Sequence, residues 1–331
     1  MNILIIGGTQ FVGKHITATA LKNNHTVTLF NRGKTSTEKL DGVTYLTGDR
    51  DGNLDALKGK KFDAVIDVCG YVPRVVRQSC ELLKDNVPYY IFISTISVYD
   101  HANSNPIDID SPLATLKDES VEEITSETYG GLKVLCEDEV LDVYGENATI
   151  IRPGYIVGPD DHTDRFGYWI RQVVNAGEML VPDNDDQPIQ FIDVRDLADW
   201  TILLTEKKQT GIYNAIGPEE SINLRKLLLR MQKHFNTDSQ FIKISQDFME
   251  KEEITVTDFP MLFAFKDIAH YNFMEIDREP SISQGLKHRS IEETLQGAYD
   301  YIKSLPSDYA FKCGLTQERH SELLNKWNET S

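Results

Sequence analysis

The sequence has few of the residues that build cross-linked or metal-stabilised proteins. Its 331 residues include four cysteines, which lie far apart and form no metal-type pairs, and eight histidines with no H-x-x-x-H spacing. This pattern argues against a disulfide scaffold. It predicts reduced thiols, a cytoplasmic location and no bound metal.

Long apolar runs and basic charge are also scarce. No apolar run approaches the roughly 18 residues of a membrane span, and the N-terminus lacks the pattern of a secretory signal. Lys and Arg number 34 against 52 Asp and Glu, which gives a formal net charge of −18. We therefore expect no membrane contact, and this charge disfavours nucleic acid as a partner.

What the sequence does contain is a regular alternation of strand-like and helix-like segments. The strand-like segments are NILIIG, HTVTLFNRG, VTYLTGD, FDAVIDVCG and PYYIFISTISVY, and helix-like stretches such as FVGKHITATALKNN and PRVVRQSCELLKDN separate them. This alternation predicts an α/β fold in which a parallel sheet carries helices on both faces.

The regularity changes twice further along the chain. Residues 100–127 are acidic and rich in Pro and Ser, and we interpret them as a long surface loop, either a solvated linker or a lid. After Gly158 the alternation loosens. We predict a first domain over residues 1–155, re-entered by the chain near residues 189–215, and a smaller lobe made mostly from residues 156–331.

The first strand runs into a glycine-rich turn. Gly7, Gly8 and Thr9 lead into a helix, and Gly13 follows, whereas Gln10 stands where the G-x-x-G-x-x-G pattern has its middle glycine. Backbone N–H groups at a helix N-terminus suit a pyrophosphate, and small residues let it approach. Gln10 could donate an amide hydrogen bond to phosphate.

The ends of the next two strands carry charged and polar residues. Asn31 stands where an NAD-selective site usually has a carboxylate, and Arg32 and Lys34 could meet the 2′-phosphate of NADP. Asp49, followed by Arg50, could accept a hydrogen bond from the adenine amino group. An alternative interpretation of residues 31–34 is a basic turn with no ligand.

A tyrosine and a lysine share one helical face further along the chain. Tyr129 and Lys133 are four residues apart, and a cation near a phenol lowers the phenol's pKa. The preceding strand ends in the hydroxyls of Ser94, Thr95 and Ser97. The carboxyl edge of a parallel sheet is where ligands bind, so these groups predict proton transfer beside a nicotinamide.

These segments together resemble one family. GGTQFVG, GDRD, ISTISVY, TYGGLK, IIRPGYIVGP and QFIDVRDLADW occur in the order found in extended short-chain dehydrogenase/reductases of the epimerase/dehydratase type. GGTQFVG, LFNRG and DRFGYW look closer to atypical members, which include bacterial epimerases or reductases and plastid stem-loop-binding proteins. The resemblance implies a Rossmann-type doubly wound sheet as the dinucleotide-binding domain and a C-terminal substrate lobe.

The resemblance also implies roles for individual residues. Thr95, three residues before Val98, would bind the substrate oxygen, with Ser97 as the second choice. Tyr129 would be the general acid/base, and Lys133 would hold the nicotinamide ribose. Residues implied along the cofactor are Gly7, Thr9, Gln10, Phe11, Val12, Gly13, Asn31, Arg32, Lys34, Asp49, Arg50, Cys69, Gly70, Tyr71 and Arg152.

Departures from the family pattern narrow these expectations. Gln10 replaces the middle glycine of the phosphate turn, which bears on cofactor affinity. Asn31 with Arg32 replaces the acid, so NADP is slightly favoured over NAD. Ile96 and Ser97 stand where sugar-nucleotide dehydratases carry an acidic pair, so water elimination is disfavoured. The expected cofactor is therefore NAD(P)(H), and the expected reaction is epimerisation or reduction.

The segment after the turn at Gly158 is expected to face the substrate. Arg165 or Arg171 could bind a diphosphate, and Tyr168 or Trp169 could stack on a base or sugar. Trp169 is predicted to be a core aromatic instead. The substrate is expected to be a small molecule such as a nucleotide sugar.

The alternative function is a non-catalytic dinucleotide-binding or RNA-binding protein. A homodimer through the helices at 72–85 and 128–145 is expected by analogy.

Overall fold

The computed structural model describes residues 1–34, 39–100, 106–262 and 275–330. Its strands are β1 (Asn2–Ile6), β2 (Thr26–Asn31), β3 (Val43–Thr47), β4 (Ala64–Asp67), β5 (Tyr90–Ile93), β6 (Ala148–Pro153), β7 (Tyr155–Val157), β8 (Glu178–Pro182), β9 (Pro188–Asp193), β10 (Gly211–Ala215), β11 (Gly217–Asn223) and β12 (Gln240–Ile244). Its α-helices are α1 (Phe11–Lys22), α2 (Pro73–Leu83), α3 (Tyr129–Tyr144), α4 (Arg165–Asn175), α5 (Val194–Lys207), α6 (Leu224–Phe235), α7 (Gln246–Lys251), α8 (Glu279–Ser283), α9 (Ile291–Ser304) and α10 (Gln317–Thr330).

The chain forms two compact units, each assembled from several segments. The first unit contains residues 1–154, 194–217 and 276–288, and the second contains the remaining described residues. The chain thus returns to the first unit twice. The predicted return lay near residues 189–215, and the sequence carried no signal for the return at 276–288.

A seven-stranded sheet forms the centre of the first unit. Its strand order is β10-β6-β5-β4-β1-β2-β3, and every neighbouring pair is parallel. In register, Ile3 of β1 faces Val27 of β2 on one side and Ala64 of β4 on the other. The order of strands reverses between β1 and β4, and ligands bind at such a reversal, outside the carboxyl ends of the strands.

Helices cover this sheet because its strands are apolar on both faces. All four residues of β4 and of β5 are buried. Helix α1 packs with α5, and α2 packs with α3. The core beneath α2 and α3 includes Val76, Phe92 and Val140. This is the predicted Rossmann-type α/β arrangement, and the prediction of the fold class is confirmed.

The second unit has its own small sheets and core. Strands β11, β9 and β7 form one sheet, and β12 pairs in parallel with β8. Trp169 of α4 is fully buried, stacks on Phe259 at 6.0 Å and donates from Nε1 to the carbonyl of Pro260 at 2.8 Å. This agrees with the prediction that Trp169 is a core aromatic.

The acidic segment before α3 is held against the first unit, where residues 106–127 are described. The amide of Ala114 donates to the carbonyl of Val98 at 2.7 Å, and Tyr99 and Leu113 form an isolated bridge. Residues 101–105 of the predicted loop lie outside the described residues. Within the described parts of the chain, no helix is both long and apolar enough to cross a membrane.

Candidate active site

The turn after β1 brings the start of α1 close to the sheet. Gly7 and Gly8 have φ angles of +102° and +90°, a region in which side chains are strained. A Cβ at Gly13 would lie 2.5 Å from the Cα of Gly8, so only glycine allows this approach. Gln10 precedes α1, but its exposed side chain does not cap the helix. The N–H groups of the first turn therefore suit an anion.

The residues that follow in this turn are partly accessible. Thr9 and Val12 are half-buried, whereas Phe11 is buried and has a φ of +35°. The Phe11 ring therefore belongs to the buried core.

The end of β2 offers hydrogen-bond donors. The Oδ1 atom of Asn31 accepts from the amide of Gly33 at 2.9 Å, and its Nδ2 atom is buried without a hydrogen-bond partner among the described residues. Arg32 and Lys34 are exposed and form no ion pair within the described parts of the chain. A buried donor without an acceptor is costly, so this corner suits a ligand that brings acceptor oxygens.

Arg50 has an internal partner instead of a free guanidinium. Its Nη1 and Nη2 atoms each donate to one oxygen of Asp67 at 2.8 Å, and Nη2 also lies 3.2 Å from the Oγ of Ser79. Burial opposes ionisation of Asp67, but Arg50 and the Tyr90 hydroxyl hold the pKa of Asp67 below its usual value. The pair joins the ends of β3 and β4, and the prediction of Arg50 as a direct cofactor ligand is not supported.

Asp49 and Cys69 lie on either side of this ion pair. Asp49 bridges to Asn53 and accepts the amide of Asp51 at 3.2 Å, so it stabilises the loop after β3. Cys69, directly after β4, is half-buried, and burial raises the pKa of its thiol. It is therefore a neutral thiol at neutral pH.

Lys133 is a fully enclosed charged side chain at the carboxyl edge of the sheet. It is 2% exposed, and its Nζ donates to the carbonyls of Gly70 at 2.8 Å and Ile93 at 2.9 Å. The ammonium also lies 4.0 Å from the centroid of the Phe92 ring. Burial lowers the pKa of Lys133 to about 8, so it is still mainly an ammonium at pH 7.

Two hydroxyls meet where β5 ends. The Oγ1 of Thr95 accepts the amide of Ser97 at 3.1 Å and donates to the Oγ of Ser97 at 3.2 Å. This contact caps the short 3₁₀ helix at Ile96–Val98. The first and second choices for the substrate-binding hydroxyl are therefore neighbours, and they share one hydrogen bond.

Two glycines between Tyr129 and Lys133 bring α3 close to these hydroxyls. A Cβ at Gly130 would lie 2.2 Å from the carbonyl oxygen of Ser97, and one at Gly131 would lie 2.7 Å from Cγ of Leu116. The glycine at 130 allows backbone to meet backbone there. The two glycines that follow Tyr129 in the sequence indicated this close approach, but the sequence-based prediction did not use them.

A Gly130→Ala variant tests the importance of this approach. Alanine favours a helix by about 1 kcal/mol over glycine, but here its Cβ must displace the Ser97 carbonyl and with it Thr95. We expect turnover to fall at least tenfold with little change in dinucleotide affinity. Gly131→Ala is the comparison, since its Cβ meets the side chain of Leu116 and not the backbone of the turn that carries Thr95 and Ser97. Equal turnover in the two variants would contradict this account.

Arg152 was predicted to line the cofactor, and the structure corrects this. Its side chain is 2% exposed, its Nη2 lies 2.6 Å from Oε2 of Glu137, and its Nη1 donates to the Tyr99 hydroxyl at 3.0 Å. Ser94 donates its hydroxyl to Glu137 as well. Arg152 lies within β6, near its carboxyl end, and position along a strand could not reveal which way its side chain points. Glu137, one turn beyond Lys133, was a detectable partner.

The predicted substrate residues of α4 belong to the second unit. Tyr168 is 1% exposed, its ring packs 5.1 Å from that of Trp169, and a Cβ at Gly314 would come within 2.0 Å of it. Tyr168 is thus a core residue, and its prediction as a substrate ligand is wrong. Arg165 is half-buried over the Tyr155 ring at 4.7 Å, with its Nε 3.2 Å from the Thr163 hydroxyl.

Fold and site together define a protein of the Rossmann class, with a glycine turn at the strand-order reversal and a Tyr-Lys helix beside it. The profile of the NAD dependent epimerase/dehydratase family matches residues 3–216. This match spans well over half of the chain, so the protein belongs to that family.

Individual relatives agree with this assignment. The chain is 30% identical over 233 residues to a chloroplast stem-loop binding protein of 41 kDa from Arabidopsis thaliana, a match covering 65% of this chain and 58% of that protein's length. The UDP-glucuronic acid 4-epimerase of Bacillus cereus, solved with NAD, matches 92% of this chain and 99% of its own, with 19% identity and a TM-score of 0.66.

A third relative is the Bordetella bronchiseptica enzyme WbmH, solved with NAD+. It matches 92% of this chain and 98% of its own, with 15% identity and a TM-score of 0.63. At such identities the two solved structures establish the fold.

Proposed function

We propose that the protein is an NAD(P)-dependent epimerase or oxidoreductase acting on a hydroxyl or keto carbon of a nucleotide sugar. The observation that carries this proposal is the buried Lys133 ammonium one helical turn from Tyr129, at the sheet edge where Thr95 and Ser97 present hydroxyls. Family membership and two nucleotide-sugar or NAD-bound structural relatives support it.

The residues at the carboxyl edge of the sheet fit a dinucleotide. The close approach of Gly13 to Gly8 leaves the α1 N-terminus accessible to a pyrophosphate. The Nδ2 of Asn31, which has no hydrogen-bond partner in the described parts of the chain, and the exposed Arg32 and Lys34 suit phosphate or ribose oxygens. A bound nicotinamide supplies hydride transfer to or from the substrate carbon.

The chain's own residues would handle the proton and the substrate oxygen. Tyr129 would take the proton of the substrate hydroxyl, or return it, at its phenol oxygen. The positive charge of Lys133 would favour the phenolate form of Tyr129. Thr95 would hold the substrate oxygen, with Ser97 orienting the Thr95 hydroxyl through their shared hydrogen bond.

Several finer points are part of the same proposal. Ile96 and Ser97 provide no acidic pair for water elimination, which favours epimerisation or reduction over dehydration. Arg165 is proposed as a ligand for the substrate diphosphate. A homodimer through α2 and α3 also remains a proposal. Among the described residues, no exposed large hydrophobic side chain lies on either helix.

The basic residues after β2 lead to a prediction about cofactor preference. In an Arg32→Ala variant we expect the dissociation constant for NADPH to rise about tenfold, because one charge-assisted contact to the 2′-phosphate contributes about 1.5 kcal/mol. Affinity for NADH should change little. Fluorescence titration measures the affinities for NADPH and NADH. The charge-matched control is Lys22→Ala, which removes a cation at the C-terminal end of α1, the end away from the glycine turn. A preference for NADH in the wild type would remove the NADP assignment.

The test of the function as a whole is turnover. Wild-type protein should interconvert or reduce at least one UDP-sugar when given NAD+, NADPH or NADH, with products followed by chromatography. Failure with a panel of UDP-sugars, in a protein that binds dinucleotide, would overturn the substrate class. RNA binding, suggested by the plastid relative's name, is the competing function, and the net charge of −18 weighs against it.

A further inference from the structure

Tyr71 is a large aromatic side chain left exposed beside the candidate catalytic residues. It follows β4 directly after Gly70 and is 43% exposed. The other exposed large hydrophobics in the described parts of the chain are aliphatic, namely Leu40, Ile124, Leu229 and Val256. An exposed aromatic at the carboxyl edge of a parallel sheet, where ligands bind in folds of this class, is available to contact a ligand.

The ring of Tyr71 lies next to both members of the Tyr-Lys pair. Its centroid is 6.5 Å from that of Tyr129, with the two ring planes inclined at 37°. The Nζ of Lys133 lies 5.5 Å from the centroid of the Tyr71 ring. Tyr71 therefore borders the space in which a substrate carbon would have to meet the Tyr129 hydroxyl.

The chemistry of Tyr71 suits a surface rather than a second base. Partial burial, together with the neighbouring Tyr129, raises the pKa of Tyr71 to about 12. Its phenol therefore stays protonated at neutral pH, and what it offers to the site is a neutral, rigid aromatic ring. Aromatic walls with a few polar groups are the usual lining of small-molecule sites.

We propose that Tyr71 is a specificity-determining residue whose ring packs against the C–H face of the sugar ring while that sugar's hydroxyl reaches Tyr129. A pyranose presents an apolar C–H face and a polar rim, so it can pack on an aromatic ring and still donate and accept hydrogen bonds. This inference rests on the proposed function, since it presumes a sugar as the reacting group.

The test separates binding of the sugar from binding of the nucleotide. Dissociation constants for UDP-glucuronic acid and for UDP are measured by calorimetry in the full-length protein supplied with NAD+. The ratio of the two constants gives the contribution of the sugar to affinity. The variants are Tyr71→Phe, which keeps the ring, and Tyr71→Leu and Tyr71→Gln, which remove it. NADH and NADPH titrations and melting curves check that the variants are folded.

The expected results distinguish the ring from the hydroxyl. Tyr71→Phe should keep the wild-type preference for UDP-glucuronic acid over UDP, and both ring-removing variants should lose about tenfold of it at saturating dinucleotide, with UDP affinity unchanged. Retention of the preference in the folded ring-removing variants would overturn the role of Tyr71 alone. A wild-type protein that binds dinucleotide but prefers neither UDP-glucuronic acid nor any member of the UDP-sugar panel over UDP would overturn the proposed substrate class, and the role of Tyr71 with it.

Discussion

Replacing Tyr129 with phenylalanine is expected to reduce turnover of the preferred substrate by about 10²- to 10⁴-fold, the usual contribution of a positioned proton donor or acceptor. The substitution removes one oxygen and leaves the ring that packs near Tyr71 in place. Dinucleotide affinity should therefore stay close to that of the wild type. Steady-state rates at saturating substrate, alongside a dinucleotide titration, measure the two effects separately.

A matched control for this variant is Tyr299→Phe. Tyr299 lies in α9 of the second unit, where its ring packs against that of Phe235. Removing its hydroxyl should leave turnover within about twofold, because Tyr299 has no proposed role in the chemistry. If Tyr129→Phe behaves like Tyr299→Phe, then Tyr129 is not the general acid/base.

The second large effect concerns stability. Arg152→Met should lower the free energy of unfolding by about 3–5 kcal/mol, because it leaves the carboxylate of Glu137 buried without its cation. Both side chains of this pair are 2% exposed. Urea denaturation of the variant and the wild type measures the loss. The double variant Arg152→Met/Glu137→Met should recover a large part of it, since it removes both charges.

An exposed ion pair whose carboxylate also lies on α3 provides the comparison. Arg77 on α2 lies 2.7 Å from Glu139 on α3, and its side chain is 44% exposed. Arg77→Met should therefore cost about 1 kcal/mol or less, as is usual for exposed pairs. An Arg152→Met variant no less stable than Arg77→Met would contradict the role given to the buried pair.

Much of this site was predictable because its parts are local in sequence. The glycine turn after β1 requires residues next to one another in the chain, and Tyr129 and Lys133 share a helical face by their spacing alone. Thr95 and Ser97 follow a strand, and parallel strands bring their carboxyl ends to one edge of the sheet. None of these inferences needed knowledge of tertiary contacts.

The errors arose where the direction of a side chain depends on distant partners. Arg152, like Thr95, lies near the carboxyl end of a strand of the sheet. Its side chain, however, points toward Glu137 of α3 and is buried. Arg50 is held by Asp67, 17 positions further along the chain. Tyr168 lies on a helix of mixed polarity, and only its packing on Trp169 and Gly314 identifies it as core.

Tyr71 is a further residue whose contacts could not be inferred from its position in the sequence. From its position in the sequence, after β4 and next to Cys69 and Gly70, Tyr71 was predicted to lie along the cofactor. Its ring contacts with Tyr129 and Lys133 connect two elements that are far apart in the chain, the loop between β4 and α2 and the helix α3. Spacing within one element carries no information about such contacts.

The central claim is that the carboxyl edge of the first unit's sheet is a working dinucleotide site beside Tyr129 and Lys133. The most direct measurement is a fluorescence titration of purified wild-type protein with NADPH and NADH, with analysis of any dinucleotide released when the protein is denatured. We predict saturable binding of at least one of them, tighter for NADPH, or a stoichiometric amount of released dinucleotide. Absence of binding by both, with no dinucleotide released, would contradict the account.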